Sequence, residues 1–241
     1  KLNIDEELKI FKSLSPDIAI VVAYGQIIPK EFLNIPKFGF INIHASLLPK
    51  WRGAAPIQRA IMNEDKKIGV SIMKIEEQLD SGPVLISREI NLNKNLTHGE
   101  IEKELSLVGA NLLIESLKII KSGNSKFNKQ DHSQASYARK INKNETKINW
   151  NLDSKKVLAH VHGLSPNPGA WFEFHNERFK VLRAIRSSKN GKPGVVLDKN
   201  LTIGCKLESI QILELQRQGK KKQATKEFLL GNKIDTGTIL I

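Results

Sequence analysis

The sequence predicts an α/β protein with a mostly parallel sheet, followed by a small antiparallel β-barrel. In the first half, short apolar runs alternate with stretches of helical periodicity, which is the pattern of strands joined by crossover helices. In the last part, several short alternating runs are separated by turn residues, as in small barrels. The 241 residues, 40% of them hydrophobic, are enough for one large or two modest domains with real cores.

Four apolar runs in the first half are predicted to be strands of one sheet. Each run is bounded by turn signals or polar segments, as expected for buried strands. The runs cover residues 18–23, 40–44, 68–75 and 84–90. A helical pattern over residues 1–15 precedes them, and a second helix is expected from about residue 55 to residue 63. Pro56 falls in the first turn of that helix, where its missing N–H costs nothing.

A long helix is predicted after the fourth strand. Thr97 and Glu100 form a capping-box pattern, an apolar stripe follows at helical spacing, and Gly123 is expected to end the helix. The next stretch is polar with few apolar anchors, which is typical of a linker. We therefore expect a first domain over residues 1–121, a linker over 122–142 and a second domain over 143–241.

The second domain is predicted to open with a helix and to continue as short strands. The helical pattern of residues 153–162 is expected to end at Gly163, and the proline- and glycine-rich segment 165–169 predicts a rigid turn. The alternating runs that follow predict the strands of the small barrel. They cover residues 170–174, 179–185, 195–197, 201–203 and 210–215.

Basic residues outnumber acidic ones, and they do so unevenly. The net charge is +13, from 38 Lys+Arg and 25 Asp+Glu. Residues 1–140 hold 20 basic and 16 acidic residues, whereas residues 141–241 hold 18 and 9. A basic second part predicts a polyanionic partner, with nucleic acid as the first candidate, although lysine-rich surfaces also serve solubility alone.

Other features bear on the compartment and on the start of the fold. There is no run of about 18 apolar residues and no signal-peptide pattern, so no membrane partner is expected. A single cysteine, Cys205, cannot form an internal disulfide and favours a reducing compartment, which predicts the cytoplasm, or an organelle matrix in a eukaryote. The chain starts at Lys1 without the usual first strand, glycine loop and helix, so we expect an N-terminal part of the first domain to be absent.

Asn42 and His44 are the first candidate site residues. Side chains two apart on a strand share a face, so this amide and imidazole are expected to point together. They lie at the C-terminal end of the second predicted strand, where open α/β sheets bind ligands. A loop containing Pro49 and Gly53 then leads into the next helix. The alternative is a half-buried Asn and His with purely structural hydrogen bonds.

Asp80 is the second candidate. In an Asp-x-Gly turn the aspartate ordinarily bonds its own backbone, but this turn follows the third predicted strand, so its carboxylate could fix the tautomer and protonation of His44. The sequence contains no glycine-rich dinucleotide or phosphate loop and no nucleophile elbow. His160 and His162 lie two apart on a predicted helix and face different ways, so no metal site is predicted.

These motifs resemble the folate-dependent formyltransferases. Asn42-x-His44 runs into Ser46-Leu47-Leu48-Pro49, and Asp80 follows the histidine by 36 residues within Leu-Asp-Ser-Gly. The segment from Trp51 to Gln58 (WRGAAPIQ) is similar to the branch of the family that formylates methionyl-tRNA. Similar stretches also cover residues 22–25, 27–29, 165–171 and 215–221, so the resemblance extends over nearly the whole chain.

The resemblance implies a partial Rossmann-like formyltransferase domain, lacking its N-terminal part, and a C-terminal OB-like barrel that binds tRNA. It implies transfer of the formyl group of 10-formyltetrahydrofolate to the free amino group of initiator methionyl-tRNA, for translation initiation. The partners would be this tRNA and the folate, the enzyme a monomer, and no metal would be needed. Two alternatives stay open: a formyltransferase acting on a small amine or sugar nucleotide, and an inactive RNA-binding remnant of the family.

The resemblance also implies roles for individual residues. Asn42 and a protonated His44 would donate to the oxyanion of the tetrahedral intermediate, where one donor supplies about 2.7–4 kcal/mol. Asp80 would hold His44 charged and help to move protons off the attacking amine. The pterin would lie against residues 23–28 and the 76–82 loop. Folate contacts are expected from Tyr24, Gly25, Ile27, Ser46, Leu47, Leu48 and Pro49.

Overall fold

The computed structural model describes residues 4–93 and 95–241. In the first part of the chain it confirms the four predicted strands and the predicted helices, and it adds one short helix, α2. The elements are α1 (Ile4–Ser13), β1 (Ala19–Val21), α2 (Lys30–Leu33), β2 (Phe40–His44), α3 (Pro56–Met62), β3 (Lys67–Lys74), β4 (Val84–Asn91) and α4 (His98–Lys121). Residues 1–3 of the predicted N-terminal helical stretch lie outside the described residues.

The first sheet has four strands in the order β1-β2-β3-β4. β1 pairs with β2 in parallel, whereas β2 pairs with β3 and β3 with β4 in antiparallel fashion. The predicted mostly parallel sheet is therefore wrong for the described strands, where the sheet is mixed. One reason is the connection between β3 and β4, residues 75–83. A parallel pair needs a crossover of about a dozen or more residues, and this loop is too short to supply one.

β3 is an inner strand with both faces buried. Residues 68–73 are all buried, so burial does not alternate along the strand. Ile41 of β2 and Ile72 of β3 are completely inaccessible to solvent. Burying a large apolar side chain contributes about 1.5–3 kcal/mol relative to leaving it exposed. β2 carries Asn42 and His44, and the loop after β3 carries Asp80.

The ends of α4 follow the sequence prediction. The Thr97 backbone N–H and hydroxyl both donate to the Glu100 carboxylate at 2.8 Å, which makes the expected capping box. Leu105 and Leu112 of the apolar stripe are buried. Beyond the last turn, Gly123 adopts a left-handed φ of 75°, a conformation that ends helices and that glycine takes without strain.

The second part of the chain forms a curled antiparallel sheet with two helices. Its elements are α5 (Ser154–Leu164), β5 (Ala170–Phe174), β6 (Glu177–Ser187), β7 (Thr202–Gly204), β8 (Ser209–Arg217), β9 (Lys222–Ala224) and α6 (Thr225–Gly231). The strand order is β5-β6-β8-β7, and β9 pairs with β8. Register shifts near Arg183 in the β6–β8 ladder bend these strands. Closure of this sheet into an OB-like barrel stays a prediction.

The second part differs from the sequence prediction in several details, and its β9 and α6 were not predicted. The predicted strand at residues 195–197 forms only isolated bridges, in which Val195 pairs with Ile239. Helix α5 continues through Gly163 instead of ending there. A Cβ at this position would lie 2.7 Å from the Met62 Cγ, so the glycine allows close packing against α3 rather than termination of the helix.

The chain separates into two compact units that interleave along the sequence. The first contains residues 1–56, 67–91 and 103–140, and the second contains residues 57–66, 92–102 and 141–241. The second unit has an extensive apolar core that includes Phe172, whose ring stacks on Phe179 at a centroid distance of 5.5 Å. Within residues 4–93 and 95–241, no helix combines the length and the apolar character needed to cross a bilayer.

Candidate active site

Asn42 and His44 lie on one face of β2 at its C-terminal end, as predicted. β2 is held on one side by β1 and on the other by β3, with His44 opposite Ser71. His44 is only 6% exposed, and Asn42 is partly buried. A strand with neighbours on both sides is rigid, so the spacing between the amide and the imidazole is set by the backbone.

The loop after β2 is closed by its own hydrogen bonds. The buried Ser46 hydroxyl donates to the Lys50 carbonyl at 2.5 Å. The Ser71 hydroxyl of β3 donates to the Ser46 carbonyl at 2.8 Å and accepts the Leu48 N–H at 3.2 Å. The hydroxyl and the carbonyl of Ser46 therefore both have partners within the protein, and the loop has a fixed shape.

The two ring nitrogens of His44 have different partners. Nε2 lies 2.9 Å from the Trp51 carbonyl oxygen. Because a carbonyl only accepts, Nε2 carries a hydrogen and donates it to Trp51. Nδ1 lies 3.6 Å from Oδ2 of Asp80, and the two side chains are 7% and 15% exposed. This distance is a close electrostatic contact and is longer than a hydrogen bond.

Asp80 does more than shape its turn. It has a left-handed φ of 47°, as turn residues do, but its carboxylate accepts the Gly53 N–H at 2.8 Å. The following Gly82 is required by the tight packing of the loop, because a Cβ there would lie 2.0 Å from the Lys74 carbonyl oxygen. The structure thus brings the predicted imidazole and carboxylate together, with a backbone N–H as the third member.

Sequence analysis missed Gln130 and its bonds with Arg52. Arg52 is 2% exposed and Gln130 is 8% exposed. The guanidinium donates to the Gln130 side-chain oxygen at 2.7 Å and 3.1 Å, and the Gln130 amide nitrogen donates to backbone carbonyls of the Asp80 turn. Gln130 sits in a polar stretch, and no local pattern distinguishes a buried glutamine there from its exposed neighbours.

The predicted folate-binding residues fall into two groups. Tyr24, Gly25 and Ile27 lie in the loop after β1, where Tyr24 is 47% and Ile27 81% exposed. The other group is the loop after β2, in which Ser46 is fully buried and the next three residues are partly buried. The two groups follow neighbouring parallel strands, so both begin at the same edge of the sheet.

A cavity of about 760 Å³ borders the loop that follows β3. None of Asn42, His44 and Asp80 lines it. Its wall combines lysines and glutamates with apolar side chains, and one of the lysines, Lys30, pairs with Glu77 at 2.7 Å. The lining residues are Lys30, Leu33, Asn34, Pro36, Lys37, Phe38, Gly39, Phe40, Lys74, Ile75, Glu76, Glu77 and Gln78.

The chemistry available here is proton transfer and stabilisation of negative charge. An amide, an imidazole and a carboxylate supply hydrogen-bond donors and a proton acceptor in a partly desolvated place. Among the described residues, no group of three or more His, Cys, Asp or Glu side chains is arranged to hold a metal ion. His160 and His162 bond separately, to the carbonyl oxygens of Glu145 and Ala184.

Sequence comparisons match both parts of the chain. The family model described as Formyl transferase matches residues 2–117, and the model of the formyl transferase C-terminal domain matches residues 140–233. The methionyl-tRNA formyltransferase of Pelagibacter ubique (strain HTCC1062) is 49% identical over 97% of this chain and 76% of its own length. The protein of the same name from Bradyrhizobium diazoefficiens is 42% identical over 98% of this chain and 77% of its own length.

Solved structures share the fold at lower identity. HypX from Aquifex aeolicus, in complex with tetrahydrofolic acid, has a TM-score of 0.73 and 22% identity over 96% of this chain and 44% of that one. The sugar 3N-formyl transferase WlaRD has a TM-score of 0.68 and 20% identity over 87% of this chain and 77% of that one. The methionyl-tRNA formyltransferase from Clostridium thermocellum has a TM-score of 0.60 and 21% identity over 86% of this chain and 84% of that one. Because the sequence matches extend over nearly the whole chain, the chain belongs to the methionyl-tRNA formyltransferases of the formyl transferase family.

Proposed function

We propose that this chain transfers the formyl group of 10-formyltetrahydrofolate to the amino group of initiator methionyl-tRNA. The observation that carries the proposal is a convergence on one Asp80 oxygen, Oδ2, which lies 3.6 Å from His44 Nδ1 and 2.8 Å from the Gly53 nitrogen. Asn42 lies two residues before His44 on the same face of β2. Formyl transfer between two nitrogens needs donors for an oxyanion and a proton acceptor for the attacking amine. Asn42, His44 and Asp80 are the residues we assign to these roles.

In the proposed reaction, the free amine of the methionyl group attacks the formyl carbon, and a new C–N bond forms. The carbonyl electron pair moves to oxygen, where the Asn42 amide and a protonated His44 donate hydrogen bonds. Because His44 Nε2–H is already given to Trp51, the donor we assign is Nδ1–H, on the side that faces Asp80. The Asp80 carboxylate balances this charge and accepts the proton that the attacking amine loses.

Collapse of the intermediate completes the transfer. The oxyanion reforms the carbonyl, the bond between the formyl carbon and N10 of the folate breaks, and N10 takes up the proton that the amine has lost. The products are formyl-methionyl-tRNA and tetrahydrofolate. No covalent bond to the protein forms, and each step needs only hydrogen-bond donors and one carboxylate from the chain.

We propose that the folate binds along the loops after β1 and β2. The residues assigned to it are Tyr24, Gly25, Ile27, Ser46, Leu47, Leu48 and Pro49. The solved structure of HypX with tetrahydrofolic acid and that of WlaRD with 5-N-formyl-THF support a folate on this fold. Exposed apolar side chains in the loop after β1 would be covered by a pterin.

We propose that the acceptor tRNA binds through the basic second part. Residues 1–121 would form the catalytic domain and residues 143–241 an OB-like tRNA-binding domain. Residues 122–142 would be the linker, and its residues up to 140 belong to the first compact unit. The second part carries twice as many basic as acidic residues, 18 against 9, as expected for a surface that contacts phosphates. We further propose that the enzyme acts as a monomer in the compartment where translation begins, the bacterial cytoplasm or an organelle matrix.

The proposal is tested by offering the chain radiolabelled 10-formyltetrahydrofolate with three acceptors in parallel. They are methionyl-initiator tRNA, uncharged initiator tRNA and a dTDP-linked amino sugar. Label on the methionyl-tRNA alone is the expected result. Label on the amino sugar alone would indicate a small-amine formyltransferase instead. Binding of tRNA without any product, from a chain that is folded by circular dichroism, would indicate an inactive RNA-binding member of the family.

A further inference from the structure

The side chain of Gln130 connects the Asp80 turn to the loop after β2. Its Nε2 donates to the carbonyl oxygens of Asp80 and Gly82, at 2.9 Å and 2.7 Å. Its Oε1 accepts from Nη2 and Nε of Arg52, at 2.7 Å and 3.1 Å. Both hydrogens and both lone pairs of the amide are therefore used, although this residue lies 48, 50 and 78 positions from these partners.

Only an amide in this orientation satisfies all four contacts. A rotated amide would direct its hydrogens at the guanidinium donors and its oxygen at two carbonyl oxygens. A carboxylate would keep the contact with Arg52 but would face the two carbonyls without a donor. Gln130 is 8% exposed and Arg52 is 2% exposed, so water cannot readily replace a missing partner.

The contacts of Gln130 fix both the backbone and the carboxylate of Asp80. The Asp80 backbone has a left-handed φ of 47°, a sparsely populated conformation that the surrounding contacts must hold in place. Gln130 holds the carbonyl of that strained residue. The Asp80 carboxylate accepts the N–H of Gly53, whose neighbour Arg52 is held by the same glutamine.

Residues 136–138 reinforce this arrangement from the same segment of the chain. The Arg52 N–H donates to the Ser136 carbonyl at 2.9 Å, and the Ala138 N–H donates to the Arg52 carbonyl at 2.7 Å. A Cβ on Gly53, which has a φ of 113°, would lie 2.9 Å from the Ala138 carbonyl oxygen. The backbone of Arg52 and Gly53, which donates the Gly53 N–H to Asp80, is therefore also held by residues 136–138.

We infer that Gln130 is a positioning residue that keeps the Asp80 carboxylate beside His44 Nδ1. The inference rests on the proposed function of Asp80 in formyl transfer. Gln130 acts through the Asp80 turn and through Arg52, and it exchanges no proton with the substrate. Its removal moves the carboxylate relative to His44, and a displacement of about 1 Å at a reacting group can lower a rate about 100-fold.

Three variants of the full chain separate positioning from folding. Gln130→Glu keeps an acceptor for Arg52 and removes both donors to the Asp80 turn, whereas Gln130→Met removes both sets of contacts. Gln134→Met is the matched control, since this exposed glutamine belongs to the same segment and donates to Asp131. We expect Gln130→Glu to lower kcat at least about 10-fold with little change in either KM, and the control to keep the original kcat. An unchanged kcat in Gln130→Glu and in Gln130→Met overturns the inference, whatever their melting temperatures.

A double-mutant cycle tests whether the effect passes through Asp80. In an Asp80→Asn background, Gln130→Glu is expected to cause no further fall in kcat, because the group that it positions has already been removed. A second fall as large as that in the original background would show that Gln130 acts independently of Asp80, and it would overturn the inference.

Amide hydrogen exchange at Gly53 tests the inference without any turnover. The N–H of Gly53 is protected by its bond to the Asp80 carboxylate. Exchange at Gly53 is expected to become at least about 10-fold faster in Gln130→Glu and Gln130→Met, and to stay the same in Gln134→Met. Unchanged exchange in the Gln130 variants overturns the positioning role. If the original chain transfers no formyl group, the proposed function fails, and this measurement still decides the inference.

Discussion

His44 and Asp80 owe their proposed roles to their immediate hydrogen-bond partners. The Trp51 carbonyl takes the Nε2–H of His44, so the other ring nitrogen faces the carboxylate. The Gly53 N–H occupies one position on Oδ2 of Asp80 and orients the carboxylate. Neither side chain is unusual in itself. The tautomer of the imidazole and the direction of the carboxylate are set by two backbone groups, as is common for histidines with assigned tasks.

Asp80→Asn tests the assigned chemistry at the scale of a single residue. Asparagine has nearly the same shape and can still accept from Gly53, but it carries no charge and cannot take a proton from the amine. We expect kcat to fall about 100-fold or more, with tRNA affinity unchanged, in single-turnover formylation and filter-binding assays. The exposed Asp235→Asn serves as the control. Full activity of Asp80→Asn would contradict the proposed proton acceptor.

Cys205 is predicted to be chemically inert in the folded protein. It is a free cysteine, 1% exposed, and burial raises the pKa of its thiol to about 12. Since the thiolate is the reactive form, almost none is present at a pH near 8. We expect no labelling by iodoacetamide in native buffer and complete labelling in guanidinium chloride, as measured by intact mass. Rapid labelling of the native protein would contradict the buried position.

At the scale of elements, the site is built by an antiparallel strand pair and a loop that reaches back. β3 ends opposite Ile41, near the start of β2, whereas His44 lies at the end of β2. Residues 75–83 must therefore extend back toward His44 before β4 begins, and Asp80 lies within that stretch. Parallel strands would have brought their C-terminal ends to one edge directly. His44 and Asp80 still come into contact, because the loop after β3 turns back along the sheet.

The ion pair between Arg59 of α3 and Glu145 predicts a pH-dependent contribution to stability. The Arg59 guanidinium donates to both oxygens of Glu145, at 2.7 Å and 3.0 Å, and these bonds lower the pKa of that carboxyl to about 2. An unfolded glutamate has a pKa of about 4.3. The stabilisation is therefore fully present above that pH and is lost as the pH falls toward about 2.

Arg59→Met is expected to lower the free energy of unfolding by about 1 kcal/mol at pH 7, since the pair is partly exposed to solvent. The difference between the variant and the original chain should shrink as the pH falls below about 4. Urea unfolding at several pH values measures both quantities. Arg88→Met, which removes a more exposed pair with Glu115, is the control and should change stability by less than about 0.5 kcal/mol. A destabilisation that is constant over this pH range would contradict the linkage.

Gly163→Ala tests the packing of α5 against α3. Alanine favours a helix interior over glycine by about 1 kcal/mol, so helix propensity alone predicts stabilisation. The new Cβ, however, would lie 2.7 Å from the Met62 Cγ and 3.1 Å from the Gln58 carbonyl oxygen. We expect the clash to dominate and the variant to lose about 1–3 kcal/mol in chemical unfolding. Adding Met62→Ala should restore part of that stability relative to Met62→Ala alone, and a stabilised single variant would contradict the close packing.

At the scale of the whole molecule, the uneven charge predicts how the tRNA is bound. Lys220, Lys221 and Lys222 precede and begin β9, and all three are exposed. Replacing them with alanine is expected to weaken tRNA binding and to reduce the slope of log K against log salt by about 1 for each phosphate that is no longer neutralised. The control removes the same charge from the exposed lysines of α4: Lys103, Lys118 and Lys121. Equal effects of the two triple variants would argue against a tRNA surface in the second part.

The sequence by itself determined the local elements and singled out the residues proposed for the site. The capping box of α4, the end of that helix at Gly123 and the extent of β2 depend on neighbours a few positions apart, which a sequence displays directly. The pairing of Asn42 with His44 on one face follows from the two-residue repeat of a strand. Asp80 lies 36 residues after His44, but each of the two segments is short and distinctive enough to be recognised in the sequence.

Only the tertiary structure decided how β2 pairs with β3, the continuation of α5 through Gly163 and the participation of Gln130. The connection between β2 and β3, residues 45–66, contains α3 and is long enough for a parallel or an antiparallel pair, and the fold selects the antiparallel one. The glycine is explained by Met62, a residue distant in sequence. The partners of Gln130 lie 48, 50 and 78 positions away, so its burial and its four hydrogen bonds exist only once the chain has folded.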